Sequence, residues 1–304
     1  MSDFAAAAMM RLIALGLKRQ GLALPAAPPP LRGARVPLVD KRRLMDALLQ
    51  QHAAEAVLRI GEGVHEARDE PVLVALRLAR DPADLVSRWQ RLERFIHSRH
   101  RVRIEADGPG QLQLRHVSLV ANEPPTAAED LLVLGLLAAL IDWQGTVDLV
   151  ARVGARGWLR RTQGRGQAVE PAGPSSGWVL QWQATSPAVV PPQPAPAADW
   201  ASAAERLLQA DLARPWSLAT LAAEMHCAPR SLQRHLALQR SSFVALLRQL
   251  RLAHAARMLA QTPKAPAEIG YLCGFADQAH FTREFKRHCA LTPARYREQF
   301  ARSG

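Results

Sequence analysis

Two stretches near the end of the chain are built to one plan: "LAAEMHCAPRSLQRHL", from Leu221, and "IGYLCGFADQAHFTREF", from Ile269. Leu221 and Ala222 match Ile269 and Gly270 at an offset of 48 residues (269 − 221). One extra residue in the second turn makes the offset 49, and Leu232, Arg234 and Leu236 then match Phe281, Arg283 and Phe285. Each copy reads as a short helix, a tight turn and a second helix whose apolar pegs repeat at i and i+4, the build of a helix-turn-helix. Ala222 and Gly270 are small where the paired helices must cross, and Met225 with Cys227, or Cys273 with Phe275, can fill the angle between them. A chain that carries this unit twice has little choice but to fold its last third as helices.

The face opposite the pegs shows what the unit is for. On the first such helix the outward positions are Arg230, Gln233, Arg234 and His235; on the second they are Gln278, His280, Thr282, Arg283 and Lys286. Arg can bridge O6 and N7 of guanine, Gln can pair with the edge of adenine, and Thr can meet a thymine methyl. Lys286, Arg287 and Arg295 suit phosphates. A plain helical bundle with solvated faces would accept Glu there as readily as Arg, yet only Glu284 breaks the basic pattern of the second set. Charge agrees: of the formal +12, residues 198–304 carry 15 basic and 8 acidic side chains, +7 over 107 residues, against +5 over the preceding 197. Such a field favours polyanionic partners.

At "APRSLQRHL" and "GFADQAHFTREFKRHCALTPARYR" the chain resembles the AraC/XylS-type transcriptional regulators. The resemblance implies seven helices, with two helix-turn-helix units bridged by a long helix, here Ser242 to Gln261, whose apolar stripe includes Leu246, Leu250, Ala253 and Leu259. It places base contacts on Arg230, Gln233, Arg234, Gln278, Ala279, His280, Thr282 and Arg283, in major-groove segments roughly one turn, about 34 Å, apart. It also implies promoter DNA and RNA polymerase as partners, activation as the usual outcome, and a small-molecule effector and a second copy of the chain as candidate partners. The chain departs from the family pattern at Arg240 and Ala290, where glycine is common, and at Ala228, where serine is usual. Where such glycines serve left-handed helix ends, each replacement costs on the order of 1 kcal/mol.

Upstream, "TSPAVVPPQPAPAAD" holds five prolines and no periodic pattern, which reads as a semi-rigid spacer. The expected layout is therefore residues 1–184 as an α+β effector-binding or dimerisation domain, residues 185–199 as a Pro/Ala-rich linker, and residues 200–304 as the DNA-binding domain. In the first of these, helical spacing is found over Met9 to Lys18, Lys41 to Ile60, Pro71 to Leu78, Asp84 to His97 and Ala127 to Trp143. "RVRIEA" and "QLQLRHVSL", joined through "DGPG", read as a β-hairpin, with further strands near Val147 to Val153 and Trp178 to Trp182. This half loosely resembles the arabinose-binding-like domain of the ornithine-utilisation and virulence regulator branch, and the likeness fades past Val153, where the chain is rich in Gly and Arg.

Other classes find little support. Three cysteines, Cys227, Cys273 and Cys289, without CxxC spacing argue against a disulfide framework and a structural zinc, and fit a reducing, cytoplasmic location. The N-terminus lacks the basic leader of a signal peptide, and the longest apolar run, "LLVLGLLAALI", is far shorter than the roughly 20 residues that span a bilayer. No catalytic group, cofactor or metal site is expected: "HSRH" pairs His97 with His100, but no acidic or thiol partner stands beside it in the sequence. The alkyl-transfer repair enzymes that share this type of helix-turn-helix need an activated thiolate. Here every cysteine falls inside the helix-turn-helix domain. An architectural DNA binder makes no demand for a ligand and is separated from a regulator by its sequence preference.

Overall fold

A computed structural model of the protein describes residues 3–25, 34–67, 70–153, 157–162, 165–168, 177–185, 200–239 and 241–301. The chain divides into two compact units, residues 1–68 with 75–190, and residues 69–74 with 191–304. The Pro/Ala-rich spacer, apart from Thr185, and Arg240 lie outside the described residues.

In the N-terminal unit β1 (Phe4–Ala6) leads into α1 (Ala7–Arg19) and pairs antiparallel with β2 (Arg35–Pro37). The segment read as one helix from Lys41 to Ile60 is in fact three elements: α2 (Leu38–Gln51), α3 (Ala54–Arg59) and a 3-10 turn (Ile60–His65). His52 and Ala53 are extended, which breaks the helix where no glycine or proline announces it. The break lets the turn pass between its neighbours. A Cβ on Gly16 of α1 or on Gly61 of the turn would run into opposing backbone, at Ile60 and Gly135 respectively.

Next along the chain come α4 (Pro71–Arg77), of which residues 71–74 fall in the second unit, and α5 (Pro82–Ile96), each with proline as its first residue, and Asp81 caps α5 by accepting from the Asp84 amide at 2.8 Å. The hairpin follows as β3 (His100–Gly108) and β4 (Gln111–Ser118), with Gly110 at φ 67° closing the turn. α6 (Ala127–Trp143) is the central helix, buried at every residue from Ala128 to Ile141, as its all-round apolar sequence requires. It starts at a capping box: Thr126 accepts from the Glu129 amide and Glu129 from that of Thr126.

β5 (Thr146–Val147), β6 (Leu149–Val153), β7 (Gly157–Thr162), β8 (Arg165–Ala168), β9 (Trp178–Gln181) and β10 (Ala184–Thr185) complete the unit. The main sheet is antiparallel with strand order β3-β4-β9-β6-β7-β8. The Gly/Arg-rich stretch past Val153, which shows no clear alternation, thus supplies two strands. This unit is helix-rich with a small antiparallel sheet.

The second unit contains seven helices among the described residues from Trp200 on: α7 (Trp200–Ala210), α8 (Leu218–Glu224), α9 (Pro229–Leu238), α10 (Phe243–Gln261), α11 (Pro266–Leu272), α12 (Gln278–Cys289) and α13 (Pro293–Phe300). At 19 residues α10 is about 28 Å long and is the connector. Its first half joins an aliphatic core built on Leu208, Leu221, Leu232, Leu236 and Leu250. The second core is aromatic. Phe275, Phe281, Phe285, Tyr296 and Phe300 pack in series, with successive ring centroids 4.9–5.6 Å apart.

Candidate nucleic-acid interface

The doubled sequence is a doubled backbone. In the first unit the His226 and Cys227 amides donate to the carbonyls of Ala223 (3.0 Å) and Ala222 (2.9 Å). In the second the Gly274 and Phe275 amides donate to Tyr271 (2.8 Å) and Gly270 (3.0 Å), the same bonds 48 residues on. The turn residue is left-handed in both, Gly274 at φ 76° and His226 at φ 51°. Only the first copy sets a side chain in a conformation that favours glycine. The offset alone points to that position, because His226 stands 48 residues before Gly274.

The second helix of each unit starts differently. Asp277 caps α12 by accepting from the His280 amide at 2.7 Å, and that hydrogen bond holds the carboxyl below its usual range. Ala228 offers α9 no such bond, and Pro229 at the first helical position is all that favours the start. At the far end of α12, Ala290 is left-handed at φ 61°, so the glycine missing from the sequence pattern is missing where its freedom matters.

With the pegs Leu232, Leu236, Phe281 and Phe285 fully buried, the opposite faces are open. Arg230, Gln233 and Arg234 are exposed on α9; Gln278, Ala279, His280, Arg283, Lys286 and Arg287 are exposed on α12, and Thr282 is half-buried. His235 departs from the outward set. Its ring stacks on Trp200, centroids 4.3 Å apart, which turns it back toward α7.

Two of the residues assigned to phosphates already hold ion pairs. Arg287 lies 2.5 Å from Glu284, and Arg295 lies 2.8 Å from Glu298. Exposed pairs of this kind are worth little and exchange readily for a phosphate. Glu284, the acidic exception on α12, also meets Arg248 of α10 at 3.2 Å, so it ties α12 to the connector. Arg251 of the same helix donates to the carbonyls of Leu212 (3.0 Å) and Arg214 (3.2 Å) and pins the loop after α7. Neither arginine stands out in the sequence, since a single charge on an amphipathic helix carries no signal of what lies across from it.

Of the three cysteines, Cys227 is half-buried and the other two lie away from solvent. Cys273 and Cys289 are buried, and burial pushes the Cys273 thiol up to about 12, away from the thiolate that alkyl transfer needs. In the N-terminal unit the pair His97 and His100 does gain the acidic neighbour that local sequence withheld. Glu129 of α6 lies 3.6 Å from His100 Nδ1, and ligand atoms of the three residues lie within 4.8 Å of one another.

Residues 221–299 match the helix-turn-helix domain family. The chain carries a helix-turn-helix domain. It is 34% identical across 93 residues to the HTH-type transcriptional regulator GlxA of Rhizobium meliloti, covering 30% of this chain and 29% of the relative. It is 32% identical across 87 residues to the HTH-type transcriptional activator RhaR of Salmonella schwarzengrund, 28% and 31% of the two chains. A crystal structure of a transcriptional regulator with an AraC-type DNA-binding domain, from Chromobacterium violaceum, is 29% identical and covers 34% of this chain and 95% of that one, with a TM-score of 0.33. The chain spans about a third of the length of the curated relatives it matches. Among the described residues no helix is long and apolar enough to cross a membrane.

Proposed function

We propose that this chain is a sequence-specific transcriptional regulator of the AraC/XylS type, acting as an activator, that reads promoter DNA with α9 and α12 in successive major-groove segments. The observation that supports this most is the repeat itself. Two turns closed by the same backbone hydrogen bonds each present one exposed helix, and the exposed residues include forked donors and amides suited to base edges. Arg230, Gln233, Arg234, Gln278, His280, Thr282 and Arg283 are the proposed base contacts, and Lys286, Arg287 and Arg295 the phosphate contacts.

In this reading an N-terminal domain of residues 1–184 responds to a small molecule or a partner subunit, and the response alters how two copies sit on adjacent half-sites beside RNA polymerase. It is the reading of a DNA-binding protein in the cytoplasm, not of an enzyme.

Selection from random duplexes with the full-length protein, followed by binding of the recovered sequence at two salt concentrations, tests it. Two sub-motifs one helical turn apart, bound about a thousandfold or more above bulk DNA, are the expected result. Failure to enrich any site, with binding that merely collapses as salt rises, would replace it with an architectural, nonspecific binder.

A further inference from the structure

The repeat reaches further back than the two turns. Ala204, Leu208 and Leu212, in and just after α7, are buried, and 48 residues on Leu252, Ala256 and Ala260 are buried in α10 at the same spacing. So α7 stands to the first turn as α10 stands to the second: each is the helix that leads into a helix-turn-helix. The offsets pick out one further match. Trp200 of α7 is 48 residues before Arg248 of α10 (248 − 200), and His235 of α9 is 49 before Glu284 of α12 (284 − 235). The members of each pair are in contact. Trp200 stacks on His235 with ring centroids 4.3 Å apart and planes 5° from parallel, and Arg248 Nε lies 3.2 Å from Glu284 Oε2. One position of the repeat thus joins each exposed helix to its leading helix, by a stack in the first copy and by an ion pair in the second.

All four residues are half-buried, on the flanks of α9 and α12 between the buried pegs and the exposed face. The two joints differ in what holds them. Trp200 packs against the aliphatic core, so the stack on His235 has an apolar floor, and contact between rings is not screened by salt. The ion pair has no such floor. Beside it lies a cavity of about 240 Å³ whose lining includes Val244, Leu247, Phe275 and His280. The pegs Phe281 and Phe285 fix one edge of α12; at the other edge packing leaves room, and charge holds the two helices together. Glu284 Oε2 is also the oxygen that Arg287 holds at 2.5 Å, so one carboxylate serves two guanidiniums, and added salt competes for both.

We propose that His235 and Glu284 are positioning residues, one for each reading helix, that set the angle at which α9 and α12 present their side chains to the bases. This rests on the reading of both helices as major-groove readers. Neither residue touches a base; each acts through the arginine just before it, Arg234 on α9 and Arg283 on α12. A bidentate contact from arginine to guanine depends on that angle. Because one joint is ionic and the other is a stack, the two halves of the DNA site respond differently to salt.

The test compares duplexes that differ in one sub-motif, so that salt effects common to all DNA cancel. Full-length protein is bound to the operator recovered by selection, and to that operator with either the α9 or the α12 sub-motif scrambled, at about 50 and 200 mM salt. Discrimination at the α12 sub-motif is expected to fall about threefold over that range, while discrimination at the α9 sub-motif stays within about twofold. Glu284→Gln should lower α12 discrimination about fivefold, remove its salt dependence and leave α9 discrimination unchanged. Arg248→Glu should do the same, and adding Glu284→Arg to it should restore the lost discrimination by reversing the pair. His235→Ala should lower α9 discrimination alone, and His235→Phe, which keeps a ring on Trp200, should retain it. Variants that lose both sub-motifs alike, or neither, overturn the proposal while the reading of the helices stands. Wild-type protein that fails to discriminate against either scrambled duplex overturns that reading, and the proposal with it.

Discussion

Ala290 and His226 hold left-handed backbone with side chains that disfavour it. Ala290→Gly is expected to stabilise the second unit by up to about 1 kcal/mol, a rise of a few degrees in melting temperature by calorimetry. An unchanged midpoint would mean the helix end relaxes without strain. Arg240, the other residue found where glycine is common, lies outside the described residues. A different residue sets the pH response of the N-terminal unit. Burial pushes the Glu93 carboxyl up to about 8, although it accepts hydrogen bonds from the Val102 amide and the Trp89 indole. Between its ordinary 4.5 and about 8 the folded chain keeps a proton that the unfolded chain has released, so stability falls as pH rises through that range. His97 and His100, held uncharged by burial, act oppositely below about 6.5, where the unfolded chain gains protons the folded one refuses. Glu93→Gln should therefore flatten the decline between about pH 6.5 and 8, whose slope from this one group is at most ~1.4 kcal/mol per pH unit, as read from denaturant midpoints.

At the scale of elements, α9 and α12 make separable demands. Arg234→Ala or Arg283→Ala should relax specificity at one base position, at a cost of about 1 to 3 kcal/mol, whereas Lys286→Ala should weaken all sequences alike and reduce the salt slope by about one. Binding assays on matched and mismatched duplexes distinguish the two, and the reverse pattern would undo the contact assignment. The helices themselves are legible in the sequence because their signals are local. Pegs at i and i+4, Pro229, Pro266 and Pro293 at first turns, and Ser217, Ser242 and Asp277 as caps all lie within a few residues of what they control. The break at His52 and Ala53 is not, because it is imposed by packing of the Ile60–His65 turn between α1 and α6. Nor are β7 and β8, whose composition shows no inside-outside alternation. The cluster of His97, His100 and Glu129 is hidden for a plainer reason: residue 129 meets residues 97 and 100 only after folding, and a motif shows itself only among neighbours in sequence.

For the whole molecule, the proposed coupling between the two units is a property that neither unit can show by itself. With such coupling, residues 198–304 alone and the full chain should bind the selected operator with different affinity or stoichiometry, measured by calorimetry or analytical ultracentrifugation. Identical values would leave the N-terminal unit without a part in DNA binding. The matching turns have one more consequence. Because the amides of Cys227 and Phe275 close the same bond, the outward residues of α12 can be transplanted onto α9 without redesigning the scaffold beneath them. On the proposed reading, a chain altered in that way would carry two copies of one word, and its target would change from an asymmetric site to a direct repeat.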